Sequence, residues 1–196
     1  EVGANERLSG KTEEEVGAVM SGTIHRITVL GAGTMGHGIA HVAAMAGYET
    51  CLFDVASDAL EKGLGQVKAN LDKGVAKGKV ASDVAEATLQ RLRGATDLGD
   101  AVGEADLVVE AVPEIMALKQ SVFNDVVHRA PDHVILGSNT SSLSLSEIAA
   151  ALPKPERVIG MHFFNPPHIV KLLEIIKADQ TSPEVLASIL EVGERM

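Results

Sequence analysis

The sequence predicts an α/β fold built on a doubly wound, mainly parallel sheet. Three observations carry that reading. Short apolar, β-rich runs alternate with stretches of helical period along most of the chain. The first run, Ile24 to Leu30, is followed at once by glycines and then by a small-residue helical stretch. The second, Thr50 to Phe53, ends on an acid, Asp54.

The elements follow in order. Residues 1–19 are acidic and weakly periodic and precede Met20, so they read as a leader or disordered segment, or as a short surface helix on Glu13, Glu14 and Glu15. The folded unit is expected over 20–196. After the first strand, His37 to Ala46 forms a helix stopped by Gly47. Ser57 to Val80 is Lys-rich and helical but broken by glycines, and Ser82 to Arg93 is a second amphipathic helix. Ala105 to Val112 is a buried strand, and Pro113 and Glu114 open a helix to Arg129 with Ile115, Leu118, Val122 and Val126 on one face. His133 to Leu136 is a strand, Gly137 to Ser142 a polar loop, and Ser144 to Glu147 has capping-box spacing for a short helix. Arg157 to His162 and Val170 to Ile176 are strands. Thr181-Ser182-Pro183-Glu184 starts a last helix, which runs to Met196 with no stop signal and is expected to be truncated.

Composition narrows the function. The chain has 196 residues, with 17 Lys and Arg against 27 Asp and Glu, a net charge of −10. That balance disfavours a broad nucleic-acid surface, and 3% aromatic residues with no Trp disfavour a base-stacking platform. It leaves room for an anionic ligand held on a helix N-terminus. The single Cys51 excludes an intrachain disulfide framework and a Cys-cluster metal site, and makes a reducing, cytoplasmic setting the default. No apolar run reaches the roughly 18 residues of a membrane-spanning helix.

Gly31-Ala32-Gly33-Thr34-Met35-Gly36 is G-x-G-x-x-G between a strand and a helix, the context that gives the motif meaning. The first Gly permits the tight turn, the second lets backbone approach a pyrophosphate, and the third lets helix and strand pack closely. Asp54, 18 positions after Gly36, can accept from both adenosine ribose hydroxyls and would repel a 2′-phosphate. The unit is therefore Rossmann-like and favours NAD over NADP; a Gly-rich turn with an Asp capping the next helix is the plain alternative. His37 and His41, i and i+4, have the spacing of a zinc pair, but the other ligands of such a site are missing, so they read as surface histidines and no metal is expected.

Three further segments stand out: Ala105 to Glu114 (ADLVVEAVPE), Ser138 to Leu143 (SNTSSL) and Gly160 to Pro167 (GMHFFNPP). With GAGTMG, from about Ile24 onward, the chain resembles the NAD-binding domain of the L-3-hydroxyacyl-CoA dehydrogenases, a family that includes 3-hydroxybutyryl-CoA dehydrogenase. The resemblance implies interconversion of (S)-3-hydroxyacyl-CoA and 3-oxoacyl-CoA in fatty acid metabolism. It matches His162 to the acid/base, Glu174 to its partner, and Ser141 to the serine on the substrate oxygen. It also matches Glu114, Lys119, Asn139 and Asn165 to positions around the cofactor. Lys77 matches the lysine that contacts CoA, with Lys68 and Lys73 nearby and Asn70 where a Ser is common; an exposed Lys is the plain alternative for these and for Lys119.

The chemistry is intelligible without the family. Oxidising a secondary alcohol requires a hydroxyl proton to leave as hydride leaves the same carbon, and imidazole suits that task. His162 stands at a strand end, where open α/β sheets place their sites. Glu174 lies within Leu172-Leu173-Glu174-Ile175-Ile176, where a buried carboxylate needs a partner, and His162 is the obvious one; a hydrogen-bonded strand-end histidine and a structural ion pair are the plain alternatives. A preorganised Ser141 donor would stabilise the developing oxygen charge. The resemblance also implies a following helical domain, with the homodimer contact and an Asn of the site, absent from this sequence. A face normally covered by that domain is then expected to be open. Two readings stay open: a dehydrogenase, and a non-catalytic NAD(H)-binding module.

Overall fold

The computed structural model describes residues 24–196; the leader expected over 1–19 lies outside them. The elements are β1 (Arg26–Leu30), α1 (Thr34–Met45), β2 (Glu49–Phe53), α2 (Ser57–Ala76), α3 (Ser82–Arg91), β3 (Leu92–Ala95), α4 (Leu98–Val102), β4 (Leu107–Glu110), α5 (Met116–Val127), β5 (Ile135–Ser138), α6 (Leu145–Ala150), β6 (Val158–Phe163), β7 (Leu173–Lys177) and α7 (Pro183–Arg195). The sheet order is β3-β2-β1-β4-β5-β6-β7. Strands β1 to β6 pair in parallel and β7 pairs antiparallel to β6. The order reverses between β1 and β4, which opens a crevice at the carboxyl ends of those strands.

Both faces of the sheet are covered, and each cover follows from an apolar stripe. On one side Ile39, Ala40 and Ala43 of α1 and Val185, Ile189 and Val192 of α7 pack on Ile27, Val29, Leu107 and Met161. On the other, Val102, Phe123, Val126, Ile148 and Ala149 of α4, α5 and α6 pack on Leu30, Val108 and Leu136. Strands buried on both faces read as continuous apolar runs, as β4 does. Among the described residues no helix is long and apolar enough to cross a membrane.

Several boundaries differ from the sequence expectation. Helix α1 begins at Thr34 rather than His37, so Thr34 and Met35 form its first turn. Helix α2 runs unbroken through Gly63, Gly65 and Gly74. Gly63 has a packing reason: a Cβ there would come within 2.9 Å of the Ala32 carbonyl, so its absence lets α2 lie on the glycine loop. Leu92 and Arg93 belong to an edge strand, β3, instead of ending a helix, because parallel pairing with β2 overrides their helical pattern. The short α4, capped by Asp97 on the Asp100 amide at 2.9 Å, has too few residues for a periodic signal. Strand β5 extends through Gly137 and Ser138, and β7 starts only at Leu173.

Candidate active site

The glycine loop occupies the crevice. Gly31 has φ +93° and its amide donates to Phe53 O at 2.8 Å; a Cβ there would stand 3.1 Å from Ala111 O. A Cβ on Gly36 would fall 1.6 Å from Gly31 O, so only glycine closes this turn. By contrast, a Cβ on Gly33 would meet nothing within 4 Å. Gly33 caps α1 without a side chain, and the first turn holds no acid, so the amides of Thr34, Met35 and Gly36 offer an open anion-binding end. Asp54 ties the loop to α2: one carboxylate oxygen accepts from the Ala32 amide at 2.8 Å and the other from the Ala56 amide at 3.0 Å. The open space at Gly33, the uncapped helix end and the strand-end acid together fit a pyrophosphate-bearing cofactor.

A cleft of about 510 Å³ runs from this loop between α2 and the turn after β6. Ala59, Lys62, Gly63, Gln66 and Asn70 form its α2 wall. That stripe has helical spacing, and Lys73 and Lys77 continue it. Lys77 is the exposed C-cap residue of α2, outside the cleft lining. Lys68 lies off the stripe and pairs with Asp72 at 2.7 Å in solvent. Asn165, Pro166, Pro167 and His168 form the opposite wall.

His162 and Glu174 face each other across the antiparallel β6–β7 pair, with Nδ1 2.8 Å from Oε2. An ionised carboxylate only accepts, so Nδ1 carries the hydrogen and Nε2 remains outside the pair. Phe164 tilts against the imidazole at 4.6 Å. Glu174 was expected to be buried; its side chain is 51% exposed against 20% for His162. Strand β7 is the sheet edge, which leaves the Glu174 face open despite the apolar residues around it.

A second constellation holds the SNTSS loop. Lys119 Nζ lies 2.8 Å from both Glu110 oxygens and 3.2 Å from Glu114 Oε2, and is 1% exposed rather than solvated. Ser138 Oγ donates to Glu110 Oε1. Glu114 Oε1 accepts from Thr140 Oγ1 at 2.5 Å, from the Ser141 amide at 2.9 Å and from the Ser142 amide at 3.2 Å. Burial pushes the Glu110 carboxyl up, against the pull of Lys119. Burial also acts to raise Glu114, but the Thr140 and Ser141 hydrogen bonds and Lys119 bring it down to about 2. Asn139 joins the same loop to β6 by accepting from the Phe163 amide at 2.9 Å.

The structure thus brings Gly31, Gly33, Thr34, Met35, Gly36 and Asp54 together at one end of the crevice. It ties Glu114, Lys119, Asn139 and Ser141 into a second group, and pairs His162 with Glu174. Sequence reasoning missed Glu110, Ser138, Lys62 and His168. Glu110 had a signal, an acid inside the apolar run Leu107 to Val112. His41 is corrected too. It is 3% exposed and stacks on His168, because the turn after β6 covers its face of α1.

The family profile "3-hydroxyacyl-CoA dehydrogenase, NAD binding domain" matches residues 26–196. The glyoxysomal fatty acid beta-oxidation multifunctional protein MFP-a of Brassica napus is 39% identical over 173 residues, 88% of this chain and 24% of that protein. The probable 3-hydroxybutyryl-CoA dehydrogenase of Bacillus subtilis is 42% identical over 173 residues, 88% of this chain and 60% of that protein. The crystal structure of 3-hydroxybutyryl-CoA dehydrogenase from Escherichia coli superposes with a TM-score of 0.85 at 38% identity, over 88% of this chain and 36% of that one. The chain therefore spans between 24% and 60% of the length of these relatives.

Proposed function

This chain belongs to the 3-hydroxyacyl-CoA dehydrogenase family through its NAD-binding domain, and we propose that it interconverts (S)-3-hydroxyacyl-CoA and 3-oxoacyl-CoA. The observation that carries the reading is the His162–Glu174 pair, 2.8 Å apart at the carboxyl end of β6. NAD is the cofactor, and when bound it supplies the hydride acceptor. Gly31, Gly33, Thr34, Met35 and Gly36 would hold its pyrophosphate and Asp54 its adenosine ribose. Glu114, Lys119, Asn139 and Asn165 would line the remainder.

The chain's own residues handle the proton. Glu174 accepts from Nδ1–H of His162, which leaves Nε2 to take the hydroxyl proton of the substrate. The carboxylate then offsets the charge of the imidazolium. Ser141 donates to the substrate oxygen, from a loop held in place by Glu114. In the reverse direction His162 returns the proton to the carbonyl oxygen. The Asn70 side of α2 and Lys77 are the expected contacts of the CoA portion, and Lys62 extends that wall. The single buried Cys51 accords with a reducing, cytoplasmic setting.

A second reading, a cofactor-binding module without turnover, rests on the glycine loop alone, since the open end of α1 and Asp54 would hold a dinucleotide with no part for His162 or Glu174. Oxidation of NADH by the 196-residue chain with acetoacetyl-CoA separates the two. Substrate-dependent oxidation supports the dehydrogenase. NADH binding with no oxidation overturns it for this chain and leaves the module.

A further inference from the structure

One buried titratable group has no part in that scheme. Gly38 and His41 lie about one turn apart on the face of α1 covered by the Asn165–His168 turn. A Cβ on Gly38 would stand 2.7 Å from the Pro167 ring, so the turn sits directly on the helix. One turn on, the His41 ring stacks on His168, with centroids 5.2 Å apart and planes 16° apart. His41 is 3% exposed, and Nδ1 of each ring is out of solvent with no hydrogen-bond partner among the described residues.

We propose that His41 and His168 are positioning residues: stacked and uncharged, they lock the Asn165–His168 turn onto α1, and protonation of either ring unlocks it. The chemistry of the two rings is the reason. A neutral imidazole with its hydrogen on Nε2 leaves only a lone pair unsatisfied at Nδ1. A second proton would place an N–H at Nδ1 with no acceptor, and a charge in a dry contact. The surrounding groups offer no relief. His37 lies one turn back on α1, and Lys62 and Lys73 lie on α2. Among the described residues no carboxylate lines the cleft. Burial first, then His168 and His37, hold His41 down at about 4. Burial, His37 and Lys73 lower His168 as well. Since both values lie below that of a free imidazole, the lock is intact at neutral pH. It weakens as pH falls from ~6.5 toward the lowered values.

The lock bears on function because Asn165 opens the turn and shares the cleft with Gly33 and Thr34. That consequence rests on the reading of Asn165 as a cofactor residue. The lock itself does not.

The test is an NMR titration of the imidazoles of the chain from pH 8 to 5, with amide exchange, taken relative to the intrinsic amide rate at each pH, followed at Phe164, Asn165, His168 and Ile169. The expected result is a His41 ring that stays neutral to the lower limit and turn exchange that quickens as pH falls. In His41→Gln, His168 should titrate closer to ~6.5 and the pH dependence of turn exchange should shrink. His168→Gln, on the turn rather than in the core, should raise His41 and serves if His41→Gln fails to fold. A His41 that titrates at ~6.5 in the parent chain overturns the proposal. So does turn exchange whose pH dependence survives both substitutions. Asn165→Ala tests the other reading separately: unchanged NADH affinity would remove Asn165 from the cofactor while leaving the imidazole values as they are.

Discussion

Glu110 and Glu174 are both acids inside apolar strands, and the sheet treats them in opposite ways. Glu110 ends the central strand β4, is 0% exposed, and is held by Lys119 and Ser138. Glu174 is on the edge strand β7, is 51% exposed, and among the described residues pairs only with His162. The flanking residues hardly differ: Leu-Val-Val before one and Leu-Leu before the other. Strand position decides. A central strand removes its acid from water and so demands a cation, whereas an edge strand leaves its acid free to orient an imidazole beside it. The buried group is a scaffold for the Ser141 loop. The open pair is the one suited to moving a proton.

Breaking the scaffold should have the largest effect on stability. Lys119→Met leaves Glu110 buried without its counter-charge and should lower the unfolding free energy by about 3–5 kcal/mol in urea titrations. Glu110→Gln in the same chain should recover part of that loss; no loss in the single variant would contradict the scaffold. Glu174→Gln should do the reverse. Stability should stay within about 0.5 kcal/mol, as expected at an exposed site. Turnover should drop by about 10²-fold through loss of the Nδ1 acceptor charge. If stability fell and turnover held, the two acids would have exchanged roles.

Asp54→Ala should raise the NADH dissociation constant about tenfold or more, as loss of a charged acceptor predicts. A fluorescence titration with unchanged affinity would remove Asp54 from the ribose. The acid limb of stability should carry the mark of Glu114. Its carboxyl is held at about 2 against an ordinary 4.5, so its contribution is complete above 4.5 and is lost as pH falls toward 2. Glu114→Gln should flatten the unfolding curve in that window, read by circular dichroism. Smallest of all, Lys68→Ala should cost no more than about 0.5 kcal/mol, since its Asp72 pair is a solvated i, i+4 contact.

Most of the fold was legible because its signals are local. The G-x-G-x-x-G loop, the apolar run of β4 and the capping spacing at Ser144 each sit within a few residues. The misses were matters of tertiary context. Strand β3 is made a strand by pairing with β2, and α2 survives its glycines because Gly63 is needed against Ala32. In the site, the His162–Glu174 pairing followed from the family resemblance together with a strand acid's need for a partner, but Glu174's exposure did not, because sequence does not reveal which strand lies at the edge. Lys119 was burdened by the same gap: five residues into a helix it looks solvated, and only the fold over it shows the two carboxylates it serves. His41 shows the converse, a polar residue covered by a turn more than 120 positions away.

We propose that the open dyad, and not the buried scaffold, does the proton chemistry. Its most direct test is kcat for acetoacetyl-CoA reduction by His162→Gln against the parent chain, with NADH affinity measured alongside. The expected result is a fall of about 10²-fold or more with affinity nearly unchanged. Equal turnover in the two proteins would contradict it.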